Sequence, residues 1–287
     1  MHRTPRGRLA DIAIGVSQLP ALRPVTESLK RLPLIRNWQE RRRLAYFLSE
    51  EGFATFYGVF GSFSEARDAL PKSDGHNQRA LAAEYVNVRR HRVFSYDYPV
   101  IYWLSEAFRH GAASVFDIGG SVGVHYHAYK KILAYPPSLT WQVCDVAEIV
   151  QVGRELAERS HDTQLTFTET LDPGAVQADI WISAGAIHYI EGARPSSLLA
   201  ACKQRPKYFV LNKLPLYDGE DFISAQNIGR SSYVPQYVYN RQRFRTDIEN
   251  MGYGLVDSWE VPECSFYLPG HPEKSFRKFS GLYFCAG

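Results

Sequence analysis

The stretch VFDIGGSVGVHYHAY, Val115 to Tyr129, decides the fold of this chain. It leads from an apolar run through Asp117 and a turn with three glycines into a segment of helical character. A strand, a glycine-rich turn and a helix N-terminus in this order form a ligand-binding edge in open α/β sheets, whose ligands lie beyond the carboxyl ends of the strands. The stretch therefore predicts a nucleotide-type binding site.

Apolar runs and helical segments alternate on both sides of this motif. The sequence predicts strands at 113–118, 139–145, 164–170, 178–184 and 207–214. It predicts intervening helices at 122–134, 146–159 and 195–202. Such alternation implies right-handed βαβ units and a parallel sheet with helices on both faces. A helix at 241–254 and two closing strands at 254–263 and 278–286 complete the predicted domain, residues 111–287.

The two remaining parts of the chain lack a strand pattern. Residues 1–110 show no alternating apolar run, so we expect an α-helical N-terminal region that contributes cap, substrate or oligomer contacts. Its predicted helices lie at 38–50, after the capping pair Ser62 and Glu65, at 77–91 and at 98–110. Residues 215–240 have no clear period and many tyrosines, and we expect an irregular, functional segment there.

Charge and composition limit the classes of partner. The 287 residues carry a formal net charge of +3, and no basic recognition module is visible, so nucleic acid is not expected as a partner. Residues 1–45 hold ten Lys/Arg and three Asp/Glu. Such a segment can dock on an anionic membrane surface or an acidic partner, but a solvated helical face is the simpler interpretation.

The cellular setting follows from what the sequence lacks. No stretch reaches the roughly 20 apolar residues of a membrane span, and no secretory signal pattern opens the chain. The four cysteines are far apart and show no zinc spacing: Cys144, Cys202, Cys264 and Cys285. Reduced thiols are the simplest interpretation, so we expect a cytoplasmic protein. The sequence leaves a homo-oligomer open.

The spacing of the glycine turn separates three cofactor classes. A dinucleotide fingerprint, G-x-G-x-x-G, counted from Gly119 would need glycines where Ser121 and Val124 stand. A phosphate-binding loop would need Gly-Lys-Ser/Thr, which is absent. The observed D-x-G-x-S-x-G, Asp117 to Gly123, resembles the first motif of class I S-adenosylmethionine-dependent methyltransferases, with Ser121 in place of the middle glycine.

This resemblance implies a Rossmann-like class I methyltransferase fold, with a seven-stranded, mostly parallel sheet whose last strand is antiparallel. It implies S-adenosyl-L-methionine as cofactor, because that molecule needs close backbone approach and carboxylates for its polar groups. Asp145, at the end of the second strand, could accept both ribose hydroxyls, or it could be the N-cap of the next helix. The expected cofactor-binding residues are Asp117, Gly119, Gly120, Ser121, Gly123, Asp145, Val146, Ser183, Ala184 and Gly185.

Longer blocks resemble one methyltransferase family more specifically. It is the LIC12133-type family, encoded among bacterial surface-polysaccharide and O-antigen genes. The blocks are YGVFGSFSEA (57–66), FDIGGSVGVHY (116–126), CDVAEIV (144–150), SAGAIHYIE (183–191), QNIGRSSYVPQYVYNRQRF (226–244), MGYGLVDSWEVPE (251–263) and HPEKSFRKFSGLYF (271–284). The resemblance implies a small-molecule or glycan-precursor acceptor, and we expect transfer to oxygen.

A hydroxyl acceptor needs a general base, and His188 is the candidate because it follows the fourth predicted strand on the acceptor side. The alternative is a histidine that only shapes the pocket. Tyrosines, an amide and a cation near the acceptor suit a polyhydroxylated or anionic molecule. The expected acceptor-binding residues are Tyr189, Asn227, Arg230, Tyr233 and Tyr237. Lys213 is a further candidate for a phosphate or carboxylate, and no metal is expected.

Two other functions remain open from the sequence. The fold could serve as a catalytically silent scaffold or sensor that binds adenosylmethionine within a biosynthetic complex. An NAD-dependent enzyme is disfavoured, because two of the three fingerprint glycines are missing.

Overall fold

The computed structural model describes residues 33–72 and 86–287. The predicted helix at 77–91 lies mostly outside the described residues, as does most of the basic segment 1–45. The strands are β1 Phe56–Phe60, β2 Ser114–Ile118, β3 Thr140–Cys144, β4 Leu165–Thr168, β5 Ile180–Ala184, β6 Tyr208–Leu214, β7 Leu216–Tyr217, β8 Phe222–Gly229, β9 Ser232–Asn240, β10 Tyr253–Val261 and β11 Phe279–Ala286. The helices are α1 Pro33–Phe47, α2 Phe63–Asp68, α3 Tyr98–Arg109, α4 Val124–Tyr129, α5 Ala147–Arg159, α6 Pro195–Ala201 and α7 Arg241–Glu249.

Seven strands form the large sheet, in the order β10-β11-β6-β5-β2-β3-β4. The pairs among β4, β3, β2, β5 and β6 are parallel. The last strand, β11, runs antiparallel to both β6 and β10. All seven strands predicted from the sequence are present, and their ends agree within a few residues. The predicted class I methyltransferase fold is confirmed by this strand order.

The core lies on both faces of the large sheet. One apolar cluster joins Leu104 of α3, Tyr126 of α4 and Val150 of α5 to the sheet. A second cluster joins Leu199 of α6 and Ile248 of α7 to the opposite face. Every residue of the central strand β5 is buried, as expected for a parallel strand covered on both sides. The carboxyl edge of the sheet is therefore positioned by strands that are packed on both faces.

A second, four-stranded sheet was not predicted from the sequence. Its order is β1-β8-β9-β7, so the expectation of no strand in residues 1–110 was wrong at β1, and the expectation of an irregular segment at 215–240 was wrong as well. The strands β8 and β9 meet in a two-residue turn, Arg230–Ser231, whose φ angles are 53° and 56°. Both positive angles match the hairpin turn that Asn-Gly normally marks. Neither arginine nor serine is typical of that turn, so the sequence does not predict it. Buried polar residues such as Ser224 and Gln236 also interrupt the alternation of apolar and polar residues that predicts a strand.

The helices follow their predicted signals closely. The side chain of Ser62 accepts the backbone N–H of Glu65 at 3.0 Å, which confirms the predicted cap of α2. The predicted helix at 122–134 is shorter, since α4 ends at Tyr129. The division of the chain at residues 110 and 111 stays a prediction. Within the described ranges, no helix has the length and apolar character needed to cross a membrane.

Candidate functional site

The glycine turn lies at the carboxyl edge of the large sheet, between β2 and α4. Gly119 and Gly123 have φ angles of +72° and +83°, which favour glycine. The N–H of Gly119 donates to the carbonyl of Cys144 at 2.7 Å and so fixes the turn against β3. A Cβ atom on Gly119 would overlap the Cβ of Ala186. The turn therefore needs glycine at this position for both its conformation and its close packing.

Ser121 occupies the position where the related motif has its middle glycine. Its φ of +54° lies in the left-handed region, which explains why glycine is usual there. Its hydroxyl is buried and has no hydrogen-bond partner among the described residues. A buried hydroxyl without a hydrogen-bond partner is destabilising, so a polar ligand group at this point would supply the missing partner.

Asp117 is fully buried beside the turn. Its carboxylate accepts hydrogen bonds from His125 Nδ1 at 2.9 Å and from Trp141 Nε1 at 3.2 Å. A Cβ atom on Gly120 would collide with this carboxylate. The structure thus places Asp117 inside the turn, where it holds α4 and β3 together.

Asp145 ties the glycine turn to the segment after β3. Its Oδ2 accepts the N–H of Ser121 and its Oδ1 accepts the N–H of Val146, both at 2.8 Å. Burial raises the pKa of this carboxyl, while the hydrogen bonds from the two backbone N–H groups oppose that rise. Helix α5 begins at Ala147 with Val146 as its N-cap residue, so Asp145 does not cap it. The side chain of Val146 is 46% exposed and offers an apolar surface at the same edge.

The segment after β5 forms the opposite wall of this edge. The hydroxyl of Ser183 donates to the carbonyl of Ile118 at 3.0 Å and accepts the N–H of Ile187 at 3.1 Å. Ser183 therefore joins the end of β2 to the short helix that contains His188. Ala184 ends β5, and Gly185 follows with a φ of +94° against the side chain of Lys213.

His188 is 1% exposed, and its Nδ1 has no hydrogen-bond partner within the described part of the chain. Burial, together with the positive charge of Lys213, lowers its pKa from 6.5 to about 3. The imidazole is therefore neutral at physiological pH and can accept a proton. Next to it, the hydroxyl of Tyr189 donates to the side-chain oxygen of Gln226 on β8.

Two of the five predicted acceptor-binding residues, Asn227 and Tyr233, lie against the end of α1. The amide of Asn227 donates to the carbonyls of Phe47 and Ser49 at 2.6 and 3.1 Å, at the end of α1. The hydroxyl of Tyr233 donates to the carbonyl of Leu48 at 2.7 Å. Both side chains hold the end of α1 on the small sheet, and their role in acceptor binding stays a prediction.

Two more of these residues, Arg230 and Tyr237, lie in different places. Arg230 is exposed at the tip of the β8–β9 hairpin. The hydroxyl of Tyr237 accepts the N–H of Gly192 at 3.2 Å, close in sequence to His188. Tyr189 and Tyr237 thus join the small sheet to the segment after β5, and the structure brings only these two of the five to the candidate site.

Two glutamines of the small sheet were missed by the sequence reasoning. The side-chain oxygen of Gln226 accepts a hydrogen bond from the Tyr189 hydroxyl. Gln236 is fully buried, and neither polar atom of its amide is hydrogen-bonded to a described residue. Gln236 is opposite Ser224, two positions from Gln226, so the two glutamines share a face of the sheet. A glutamine among tyrosines carries no distinctive sequence signal, and only the strand pairing shows its position.

No group of three or more His, Cys, Asp or Glu side chains suited to a metal ion occurs in residues 33–72 and 86–287. The absence of a metal from the reaction stays a prediction.

Comparison with known proteins gives structural neighbours only. No protein-family model matches the chain, and no curated protein sequence matches it. One similar solved structure is the 1,6-didemethyltoxoflavin-N1-methyltransferase of Burkholderia thailandensis, 16% identical, with 75% of this chain and 92% of that chain covered and a TM-score of 0.45. Another is the magnesium protoporphyrin IX methyltransferase of Synechocystis PCC 6803, 13% identical, with 86% and 97% covered and a TM-score of 0.46. A third is a SAM-dependent methyltransferase of Aquifex aeolicus, 14% identical, with 75% and 100% covered and a TM-score of 0.47.

Proposed function

We propose that this protein is an S-adenosylmethionine-dependent methyltransferase that acts on a hydroxyl of a small-molecule or glycan-precursor acceptor. The observation that carries the proposal is the glycine turn at the carboxyl edge of β2, which is held against β3 by the N–H of Gly119 and by Oδ2 of Asp145. The strand order supplies the fold in which such an edge binds its ligand.

The residues of this edge fit the cofactor in several ways. The turn from Gly119 to Gly123 offers bare backbone for close approach, and the unpaired hydroxyl of Ser121 offers a polar contact. Each oxygen of Asp145 accepts one backbone N–H and keeps a further lone pair for a ribose hydroxyl. Val146, whose apolar side chain is exposed, would contact the adenine, and the segment Ser183–Gly185 would line the opposite side. When bound, adenosylmethionine supplies an activated methyl group.

His188 is proposed to accept the proton of the acceptor hydroxyl at Nδ1. Its low pKa keeps the imidazole neutral, so no proton must leave before the reaction. A hydroxyl becomes strongly acidic as its oxygen forms a new bond to carbon, so an imidazole of low basicity suffices to remove the proton at that stage. Enclosure of His188 also excludes water, which favours alignment of acceptor and donor.

Cofactor binding tests this proposal directly. Titration calorimetry with adenosylmethionine and adenosylhomocysteine should show saturable binding, lost in Gly119→Arg and weakened in Asp145→Ala. The matched control is Gly254→Ala on β10, where an added Cβ would meet nothing within 4 Å. Absence of saturable binding at millimolar cofactor would refute the proposal. Binding without methyl transfer across an acceptor screen would favour the scaffold or sensor function instead.

The proposal also covers the family of the enzyme, its cellular location and the role of residues 1–110. We place it with the LIC12133-type methyltransferases of bacterial surface-polysaccharide gene clusters, on the blocks of sequence quoted above. A cytoplasmic location is supported by four free cysteines. Residues 1–110 are proposed to build part of the acceptor site, since β1 pairs with β8 beside Gln226. The chromosomal neighbourhood of the gene tests the pathway.

A further inference from the structure

Lys213 has an unusual backbone at the carboxyl end of β6. Its φ of +53° lies in the left-handed region, which costs a residue other than glycine about 1 kcal/mol. Fully buried Asn212 holds this conformation: its Oδ1 accepts the N–H of Lys213 and Nε1 of Trp259, each at 3.0 Å, and its Nδ2 donates to the carbonyl of Tyr96 at 2.8 Å. A conformation held by three hydrogen bonds at a site edge suggests that the direction of the Lys213 side chain matters.

The Lys213 side chain runs along Gly185, where an added Cβ would lie 2.9 Å from its Cε. Its ammonium nitrogen lies 4.9 Å from the ring centroid of Tyr96. No hydrogen bond or ion pair joins that nitrogen to a described residue. Burial lowers the pKa of the amine, and the charge of Asp97 opposes that effect.

Two nearby carboxylates, Asp97 and Asp117, already accept hydrogen bonds from other groups. Asp97 accepts the hydroxyl of Tyr129 at 3.1 Å and the N–H of Phe94 at 2.9 Å. The carboxylate of Asp117 accepts hydrogen bonds from the side chains of His125 and Trp141. A half-buried cation without a bound anion is unfavourable, because the desolvation of the charge is not offset. Within residues 33–72 and 86–287, no carboxylate is bound to this ammonium, so an anionic ligand would offset its charge.

We propose that Lys213 binds an anionic group of the acceptor, a carboxylate or a phosphate, next to the hydroxyl that is methylated. The proposal rests on the proposed function for the position of that hydroxyl. The charge of Lys213 acts on His188, and Gly185, which contacts Lys213, is only three residues from that histidine. An anion seated on Lys213 would thus hold the acceptor against the proton-accepting nitrogen. Lysine suits carboxylate and phosphate alike because its ammonium acts as a point charge.

The test uses the full chain and inorganic phosphate or acetate as the probe. The lysines are converted to ¹³C-dimethyl-lysines, and the NMR signal missing from Lys213→Arg identifies Lys213. We expect phosphate or acetate to shift this signal, and calorimetry to show phosphate affinity lowered about tenfold or more in Lys213→Met. Lys213→Arg should keep most of the affinity. The matched control is Lys207→Met, which removes another lysine stacked on a tyrosine, at the amino end of the same strand.

An unchanged phosphate response in Lys213→Met would overturn the proposal. A Lys213 signal that is insensitive to both anions and titrates as a neutral amine near pH 7 would also overturn it, and would indicate a proton acceptor instead. Calorimetry with adenosylmethionine on the same samples separates the two proposals. Anion binding without cofactor binding refutes the proposed function alone, and cofactor binding without anion binding refutes the role of Lys213 alone.

Discussion

Acidification is expected to destabilise this protein because His188 is buried as a neutral imidazole. Its pKa in the folded chain is about 3, whereas the ordinary value is 6.5. Between these values, the unfolded chain binds a proton that the folded chain does not bind. The stability that His188 contributes is therefore full above pH 6.5 and is lost as the pH falls towards 3.

The size of the effect follows from the two pKa values. Between about pH 7 and about pH 5, proton binding by the unfolded chain lowers the free energy of unfolding by about 2 kcal/mol through His188 alone. His127, whose pKa is lowered to about 4 by burial, acts in the same direction with similar size. In His188→Gln, the loss of stability over this range should shrink by about 2 kcal/mol, while the part due to His127 remains.

Urea unfolding followed by tryptophan fluorescence at the two pH values measures this difference. Other titrating groups act alike in both proteins and cancel in the comparison. Ile187→Val is the control, because it removes a buried methylene beside His188 but no titrating group. It should lower stability by about 1 kcal/mol at both pH values. An equal loss of stability on acidification in the wild type and in His188→Gln would refute the burial of a neutral imidazole at this position.

Three further substitutions test the supports of the site. Ser121→Gly should raise the free energy of unfolding by up to about 1 kcal/mol in urea unfolding, because it relieves a left-handed backbone; a loss would contradict the strain. Asp117→Ala should cost about 3 kcal/mol in the same assay, since it leaves His125 and Trp141 without their acceptor, and a neutral result would contradict that pairing. Asn227→Ala should lower stability by about 2 kcal/mol without changing the KM for acceptor, and a raised KM with unchanged stability would restore its predicted role in binding.

The large sheet could be predicted from the sequence because its signals are local. Each strand is an apolar run of suitable length, and each connection contains a helix signal or a glycine turn. The motif at Asp117–Gly123 also marks the correct edge of the sheet. Parallel order then follows from the alternation of elements, without any knowledge of distant contacts.

The small sheet and the acceptor side could not be predicted in the same way. The strands β8 and β9 bury Ser224 and Gln236, so their apolar alternation is broken. The identities of Asn227 and Tyr233 suggested ligand contacts, but both side chains bind the end of α1, a segment about 180 residues earlier in the chain. Residue type alone cannot separate a hydrogen bond to a ligand from one to a distant backbone carbonyl.

The pairing of β1 with β8 has a consequence for the order in which the molecule is assembled. The Ser224 hydroxyl bonds to the Tyr57 carbonyl across 167 residues of chain. During synthesis, β1 is therefore made long before its partner, and it must remain uncommitted while the strands of the large sheet emerge. Closing so long a loop is costly in entropy and is favoured only after the large sheet has brought the partners together. The small sheet is thus completed last, on a large sheet whose carboxyl edge has already formed.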